Sequence, residues 1–209
     1  SNSTAYQYYK LIFETVRGGT GIVQISEIRL GNVLDAGTLD LANFALTLND
    51  AMAGLSIAQP VTLDATGEKI VTGNADLTLN GGISATAGTL SSSGGLVSAS
   101  SLSAGAAGII NFQGGTLALP GGATLASGAS FSTSNTTLNL GGSLAVADTW
   151  TSTSTSVSLT TDNASLSSTE EMSLASLQTN GYDFELASAT SDLTIENAFA
   201  LSGGETLST

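Results

Sequence analysis

The sequence predicts an all-β protein: a parallel β-helix (β-solenoid) over residues 31–209, preceded by a β-hairpin within residues 1–30. Three observations predict it. Short Leu-x-Leu triplets recur between turn-forming residues, the middle of the chain carries no charge, and strand formers crowd the first thirty residues around a Gly-Gly turn. With 209 residues the chain is long enough to bury a sizeable core.

The N-terminal element rests on two β-rich runs. Tyr6-Gln7-Tyr8-Tyr9-Lys10-Leu11-Ile12-Phe13-Glu14-Thr15-Val16 is dense in strong strand formers, and Ile22-Val23-Gln24-Ile25-Ser26-Glu27-Ile28-Arg29-Leu30 is the second run. Between them Arg17-Gly18-Gly19-Thr20-Gly21 supplies the turn, so the pair reads as a hairpin. Tyr8-Tyr9-Lys10-Leu11, then Gly18-Gly19, then Val23-Gln24-Ile25-Ser26-Glu27-Ile28 resembles the last hairpin of discoidin-like jelly rolls. Those are the coagulation-factor C-type domains that often bind carbohydrate or cell surfaces. The resemblance spans residues 6–30 and carries over no ligand-binding residue, because the family's binding loops lie in the part with no counterpart in this chain. A lone hairpin cannot bury both faces. It is therefore expected to cap the solenoid or to pair with another chain.

From residue 31 the texture changes. Leu46-Thr47-Leu48-Asn49-Asp50, Leu77-Thr78-Leu79-Asn80-Gly81-Gly82, Leu117-Ala118-Leu119-Pro120-Gly121-Gly122 and Leu138-Asn139-Leu140-Gly141-Gly142 repeat one phrase. Val157-Ser158-Leu159 and Leu193-Thr194-Ile195-Glu196-Asn197 continue it. The anchors are 31, 40, 21, 19 and 36 residues apart, several of them near one or two multiples of ~20, the length of a solenoid coil. Leu-x-Leu puts two apolar side chains on one face of a strand, and Gly-Gly or Asn-Gly supplies positive-φ corners. About nine coils are expected after Leu30, rising about 43 Å at roughly 4.8 Å each.

Stacked coils place like residues on like residues, which favours Ala, Ser, Thr and Gly and disfavours ladders of charge. The segment from Leu77 to Ala147 contains no Asp, Glu, Lys or Arg. Trp150 and the phenylalanines Phe44, Phe112, Phe131, Phe184 and Phe199 are the expected large core anchors. A disordered Ser/Thr/Gly linker would share the composition, but a 41% hydrophobic fraction and a mean hydropathy of +0.27 argue against it. Asp76-Leu77-Thr78-Leu79-Asn80-Gly81-Gly82 and Asp192-Leu193-Thr194-Ile195-Glu196-Asn197 with Leu201-Ser202-Gly203-Gly204 resemble the β-helical passenger and stalk segments of bacterial adhesins, autotransporters and filamentous haemagglutinin-type proteins. That resemblance implies a structural role at a cell surface.

Composition excludes much chemistry. The net charge is −13, and Lys10, Arg17, Arg29 and Lys69 are the only basic residues, so no stripe exists to neutralise nucleic-acid phosphates. No Lys follows a glycine pair with the spacing of a phosphate cradle. With no His and no Cys, the Ser-His-Asp triad, the Cys-His dyad, the common zinc sites and disulfides are ruled out. No run of 18 apolar residues spans a membrane, and no basic-then-hydrophobic leader opens the chain. Beginning at Ser1 rather than Met, the chain reads as a processed or trimmed product; its texture fits an extracellular or cell-surface location.

Carboxylates are the main titratable candidates left. Asp148, Asp162, Glu170, Glu171, Asp183, Glu185, Asp192, Glu196 and Glu205 crowd the last third, with no cation beside them to polarise a uronate. A two-carboxylate glycosidase is the catalytic option; solvated acidic coils are the plainer one. Asn49-Asp50, Asp162-Asn163 and Asn180-Gly181-Tyr182-Asp183 offer oxygens to Ca²⁺, yet lack both the EF-hand ladder and the Gly-Gly-x-Gly-x-Asp nonapeptide. Sequons stand at Asn2, Asn135 and Asn163, and Tyr6, Tyr8 and Tyr9 offer rings for a sugar or simply a packed strand face. No catalytic, cofactor-binding or metal residue is assigned, and no cofactor is called for.

The coil ends set the functional expectation. Residues 201–209 keep the repeat texture without a polar cap, while the N-terminal hairpin lacks a partner sheet. One exposed edge and one orphan hairpin complete each other between subunits by strand addition, and such a head-to-tail contact propagates. The expected protein is a non-catalytic subunit of an extracellular fibre, sheath or adhesin stalk whose partners are copies of itself. A carbohydrate-binding or degenerate polysaccharide-processing β-helix, in contact with surface carbohydrate, is the alternative.

Overall fold

A computed structural model describes residues 23–24, 38–48, 54–162, 164–187 and 192–208. Each strand is three or four residues long in most coils and ends at a corner of small residues, which turns the chain onto the next face. The partner of a strand is therefore its counterpart one turn later, and every pairing is parallel. In order the strands are β1 (Val23–Gln24), β2 (Leu39–Asp40), β3 (Ala45–Thr47), β4 (Leu55–Ile57), β5 (Val61–Leu63), β6 (Lys69–Val71), β7 (Leu77–Leu79) and β8 (Ile83–Ala85). Then come β9 (Thr89–Ser92), β10 (Leu96–Ala99), β11 (Leu102–Ala104), β12 (Ile109–Phe112), β13 (Thr116–Leu119), β14 (Ala123–Leu125), β15 (Ser130–Ser134) and β16 (Thr137–Leu140). The last are β17 (Ser143–Val146), β18 (Trp150–Thr153), β19 (Ser156–Leu159), β20 (Ser165–Ser168), β21 (Met172–Gln178), β22 (Phe184–Leu186), β23 (Leu193–Ala200) and β24 (Leu207–Ser208).

These strands make three sheets, each one face of a β-solenoid of about eight turns. The first face runs β1-β3-β6-β9-β12-β15-β18, the second β4-β7-β10-β13-β16-β19-β21-β23, and the third β2-β5-β8-β11-β14-β17-β20-β22-β24. No helix occurs among the described residues. Turns number about eight rather than about nine because several exceed 20 residues: Ile70 lies 24 positions after its partner Leu46, and Leu207 lies 23 after Phe184. Within the expected N-terminal hairpin, β1 pairs in parallel with β3; its other run, residues 6–16, lies outside the described residues.

Register stacks like on like. On the second face Leu77, Val97, Leu117, Leu138, Val157 and Leu177 form one inward column at steps of 19 to 21 residues. Their side chains join one continuous core with Leu90 and Ile110 from the first face and Ile83, Leu102, Leu144 and Leu166 from the third. The four anchors Leu77, Leu117, Leu138 and Val157 thus share a column. Leu46 does not: it sits on the first face over Ile70, which is why its spacing of 31 to Leu77 is no coil multiple. Leu193 pairs with Met172 at the far end of a bent strand, so its spacing of 36 from Val157 also crosses a corner.

Phe112, Phe131, Phe184 and Trp150 are buried as expected, with Phe131 and Trp150 stacked at 5.2 Å between adjacent coils. Two anchors are not in the core. Phe44 is 60% exposed because it follows the positive-φ corner Ala42–Asn43, which breaks the strand alternation. Phe199 is 42% exposed because it lies on the last described coil, above Leu177 with no coil over it.

The interior also holds hydroxyls. The Trp150 indole N–H donates to Thr133 Oγ1 at 2.9 Å, Thr133 and Thr155 share a 2.8 Å hydroxyl bond, and Thr136 donates to the Ser134 carbonyl. Each of these hydroxyls finds a partner on its own or the next coil, whereas the hydroxyl of Thr72, also fully buried, has none. Near the C-terminal end two faces fuse. The Met172–Leu174 half of β21 lies beside β18, where Ser152 Oγ donates to the Ser173 carbonyl, while its Ser176–Gln178 half pairs with β19.

Candidate functional site

Corners hold the polar chemistry, because only there do backbone N–H groups lie outside the ladders. Asp76 Oδ1 accepts from the Leu96 N–H one coil on, at 2.7 Å. Asp148 accepts from the Gly128 N–H at 2.5 Å and from Ser127 Oγ on the coil before. At the corner between β19 and β20 Asp162 accepts from the Asp183 N–H at 3.1 Å, and Asp183 in turn accepts from the Thr206 N–H at 2.6 Å. Carboxylates thus tie one coil to its neighbour, with Asp162 and Asp183 in one vertical series.

The other acids of the last third are distributed rather than convergent. Glu196 accepts from Ser173 Oγ at 2.7 Å on the coil below. Glu170, Glu171, Glu185 and Asp192 are exposed. Glu205 accepts from Thr179 Oγ1 (2.6 Å), from the Gly181 N–H (2.5 Å) and from the Ser202 N–H (3.0 Å). The Thr179 hydroxyl foremost holds the Glu205 carboxyl below its ordinary value; partial desolvation opposes this, and the Ser202, Gly181 and Gly203 amides add to it. An open groove of about 390 Å³ runs past Phe131, Asp148, Thr149, Thr151 and Glu170. Two acids of this group, Asp148 and Glu170, line that hollow together, but Asp148 is already engaged with Ser127 and Gly128.

Among the described residues, Asp162 and Asp183 of the loops read as Ca²⁺ donors join no group of three acids. Asn180 Nδ2 donates to Ser158 Oγ and to the Leu159 carbonyl, so it bridges coils. Asn49-Asp50, Asn163, the sequon at Asn2 and the tyrosines Tyr6, Tyr8 and Tyr9 lie outside the described residues. Asn135 of the remaining sequon is exposed at a corner, with φ of 49°.

One convergence involves residues that the sequence patterns do not single out. Carboxylate oxygens of Asp40, Asp64 and Glu68 come within 4.8 Å of one another at the corner before β6. Asp40 and Asp64 are exposed, whereas Glu68 is buried. Glu68 Oε2 accepts from the Asp64 N–H (2.6 Å) and the Ala65 N–H (3.2 Å), and Oε1 accepts from the Asn43 N–H (3.1 Å) on the coil before. A carboxylate has about four acceptor positions, so three are committed to the backbone. Offering one oxygen each, three carboxylates also fall short of the six to eight oxygens that Ca²⁺ takes. These residues could hold a divalent cation only with water or carbonyl help, and the bonds made assign Glu68 to closing the corner. The only signal in the sequence is Asp64 and Glu68 flanking Gly67 shortly before the charge-free segment.

The remaining feature is the C-terminal end of the stack. Phe199, Leu201 and Leu207 are exposed there, and Asp183, Glu185, Asp192 and Glu196 are exposed on the last two coils. Along β23 the burial falls away, whereas Leu174 and Leu177 one coil below are buried. Among the described residues nothing pairs with the outer edges of β23 and β24. No family model matches the chain, no curated protein matches it, and no solved structure matches it.

Proposed function

We propose that the chain is a non-catalytic structural protein, a subunit of an extracellular fibre, sheath or adhesin stalk that assembles head to tail by β-strand addition. The observation that carries this reading is the last described rung: among the described residues nothing pairs with the outer edges of β23 and β24, and Phe199, Leu201 and Leu207 are exposed there. Unpaired edges are templates for another strand. The occupant is the N-terminal end of a second copy, and charge supports the choice. Lys10, Arg17 and Arg29 are three of the four basic residues and lie in the first thirty positions, opposite in sign to the acids of the end rung. Heterologous contacts of this kind do not close, so they propagate as a filament. The adhesin-like texture of residues 31–209 points the same way, and β1, within the discoidin-like hairpin over 6–30, forms the first strand of a solenoid face through its parallel pairing with β3. The corner carboxylates serve as coil ties, which supports a scaffold rather than a reaction.

The test is cryo-electron microscopy and sedimentation of the full chain over a range of concentrations. Filaments with an axial repeat of about 40 Å, close to the rise of about eight coils at roughly 4.8 Å each, are expected. Phe199→Asp is expected to abolish them while leaving the far-ultraviolet β signal of the subunit intact. A monomer at every concentration overturns the proposal. Such a monomer releasing reducing ends from a polysaccharide, or binding one, establishes the carbohydrate reading instead.

A further inference from the structure

Two Asn-Gly pairs occupy the same corner of the solenoid, five coils apart. Asn80–Gly81 follows β7 and Asn180–Gly181 follows β21, in register through Leu77, Val97, Leu117, Leu138, Val157 and Leu177. Each asparagine amide donates to a serine on the coil below, Asn80 to Ser56 and Asn180 to Ser158. Their glycines differ. Gly81 lies against the Gln59–Pro60 backbone, into which a Cβ would collide. Gly181 has nothing within 4 Å of the equivalent position and is exposed, with φ of 93°. Two hydrogen bonds restrain this turn: the Tyr182 N–H donates to the Thr179 carbonyl at 3.0 Å, and the Gly181 N–H donates to Glu205 Oε1 at 2.5 Å.

We propose that Asn180–Gly181 is a site of spontaneous covalent modification, a succinimide-forming turn that the Glu205 carboxylate restrains. In the reaction the Gly181 nitrogen attacks Asn180 Cγ. The new N–C bond closes a five-membered imide, and Nδ2 leaves as ammonia carrying the proton given up by the Gly181 nitrogen. Water then adds to either imide carbonyl, opening the ring to an aspartyl or an isoaspartyl linkage. Attack requires the peptide plane of the glycine to rotate towards Cγ. At Gly81 the Gln59–Pro60 backbone packs against the glycine and resists that rotation; at Gly181 nothing packs at the equivalent position, and the rotation is opposed by the bond to Glu205 and the Tyr182–Thr179 turn bond.

The product changes the end of the stack. The amide bonds from Asn180 to Ser158 Oγ (2.7 Å) and to the Leu159 carbonyl (2.9 Å) are lost. A carboxylate appears beside Asp183 and Glu205, and like charges there loosen the turn that Glu205 organises around Thr179, Gly181 and Ser202. The isoaspartyl form also lengthens the backbone at a corner whose register sets β22. Nothing in this depends on whether the protein polymerises.

Peptide mapping by mass spectrometry of the full chain, aged at neutral pH and physiological temperature, reads the conversion at each asparagine. The expected result is conversion at Asn180 well ahead of Asn80 in the folded protein, and similar rates at both in denaturant. Glu205→Ala is expected to raise the Asn180 rate roughly tenfold, the order of factor that a charge-assisted hydrogen bond places on opening a turn, with Asn80 unchanged. Emission of the single tryptophan, Trp150, reports that the variant is folded. Equal conversion at the two sites in the folded chain, or an Asn180 rate indifferent to Glu205→Ala in a folded variant, overturns the proposal.

Discussion

Replacing Glu68 with alanine tests whether corner carboxylates are structural ties. Glu68 is 1% exposed and accepts three backbone N–H groups, from Asn43 on one coil and from Asp64 and Ala65 on the next. A hydrogen bond to a charged group contributes about 1.5–3 kcal/mol, and a buried donor left without a partner costs about 1–3 kcal/mol. Three bonds taken at face value would total more than the net effect, because Asn43 and Asp64 are exposed and water can reach their amides after the truncation. Two bonds' worth, about 3–6 kcal/mol, is the expected loss. Chemical denaturation of the wild type and of Glu68→Ala measures it, and Glu68→Gln, which keeps the shape and weakens the acceptor, is expected to fall between them. Hydrogen exchange places the loss at the corner, in the amides of Asn43, Asp64 and Ala65. A loss below about 1 kcal/mol would refute the reasoning. So would a wild type whose stability rises with added Ca²⁺ while that of Glu68→Ala does not, since the cluster would then be a cation site.

The same geometry sets further expectations. Leu117→Ala removes a fully buried side chain between Val97 and Leu138 and is expected to cost about 2–5 kcal/mol in denaturation, with exchange rising first in those adjacent coils. Thr133→Val deprives the Trp150 N–H of its acceptor at 2.9 Å; a loss of about 1–3 kcal/mol and a shift in the emission of the single tryptophan are expected. Gly122 has φ of +80° with the Ser143 backbone against it, so Gly122→Ala is expected to be destabilising by more than the roughly 1 kcal/mol of backbone strain alone. Glu205 is held below its ordinary value of 4.5, so its contribution is complete above that pH and fades as pH falls through the lowered value. Protection of the Gly181 and Ser202 amides, taken relative to their intrinsic exchange rates, is expected to fall only in that acid range, and Glu205→Gln to remove that fall.

The period and the inward phase are legible in the chain itself. Leu77, Leu117, Leu138 and Val157 share one column because Leu-x-Leu between Gly-rich corners admits only one phase. Val97, in the same column, escapes the pattern because Leu96-Val97-Ser98-Ala99 sits in a Ser/Gly tract where alternation is muted. Which face a triplet belongs to is not legible, since corners of unequal length decide it, and Leu46 falls on a different face for that reason. Nor can composition tell a buried threonine from an exposed one: Thr133 and Thr155 are interior and bond to each other, and Thr72 is interior with no partner for its hydroxyl. Phe44 and Phe199 show the converse, large apolar residues put outside by a positive-φ corner and by a coil end. The acids of the last third are legible as solvated groups, but their reach to neighbouring coils, as from Asp183 to the Thr206 amide, depends on register that only the fold supplies.

The central claim is that residues far apart in sequence climb one axis in equal steps. Outward-facing Thr78 and Ser158 are separated by four coil steps on the second face, and Ser56 and Gln178 by six. The native chain has no cysteine, so spin labels on Thr78→Cys with Ser158→Cys, and on Ser56→Cys with Gln178→Cys, report these distances by double electron–electron resonance. The account predicts narrow distributions centred near about 19 Å and about 29 Å between backbone positions, from a rise of roughly 4.8 Å per coil. Broad distributions, or a second distance no longer than the first, would contradict it.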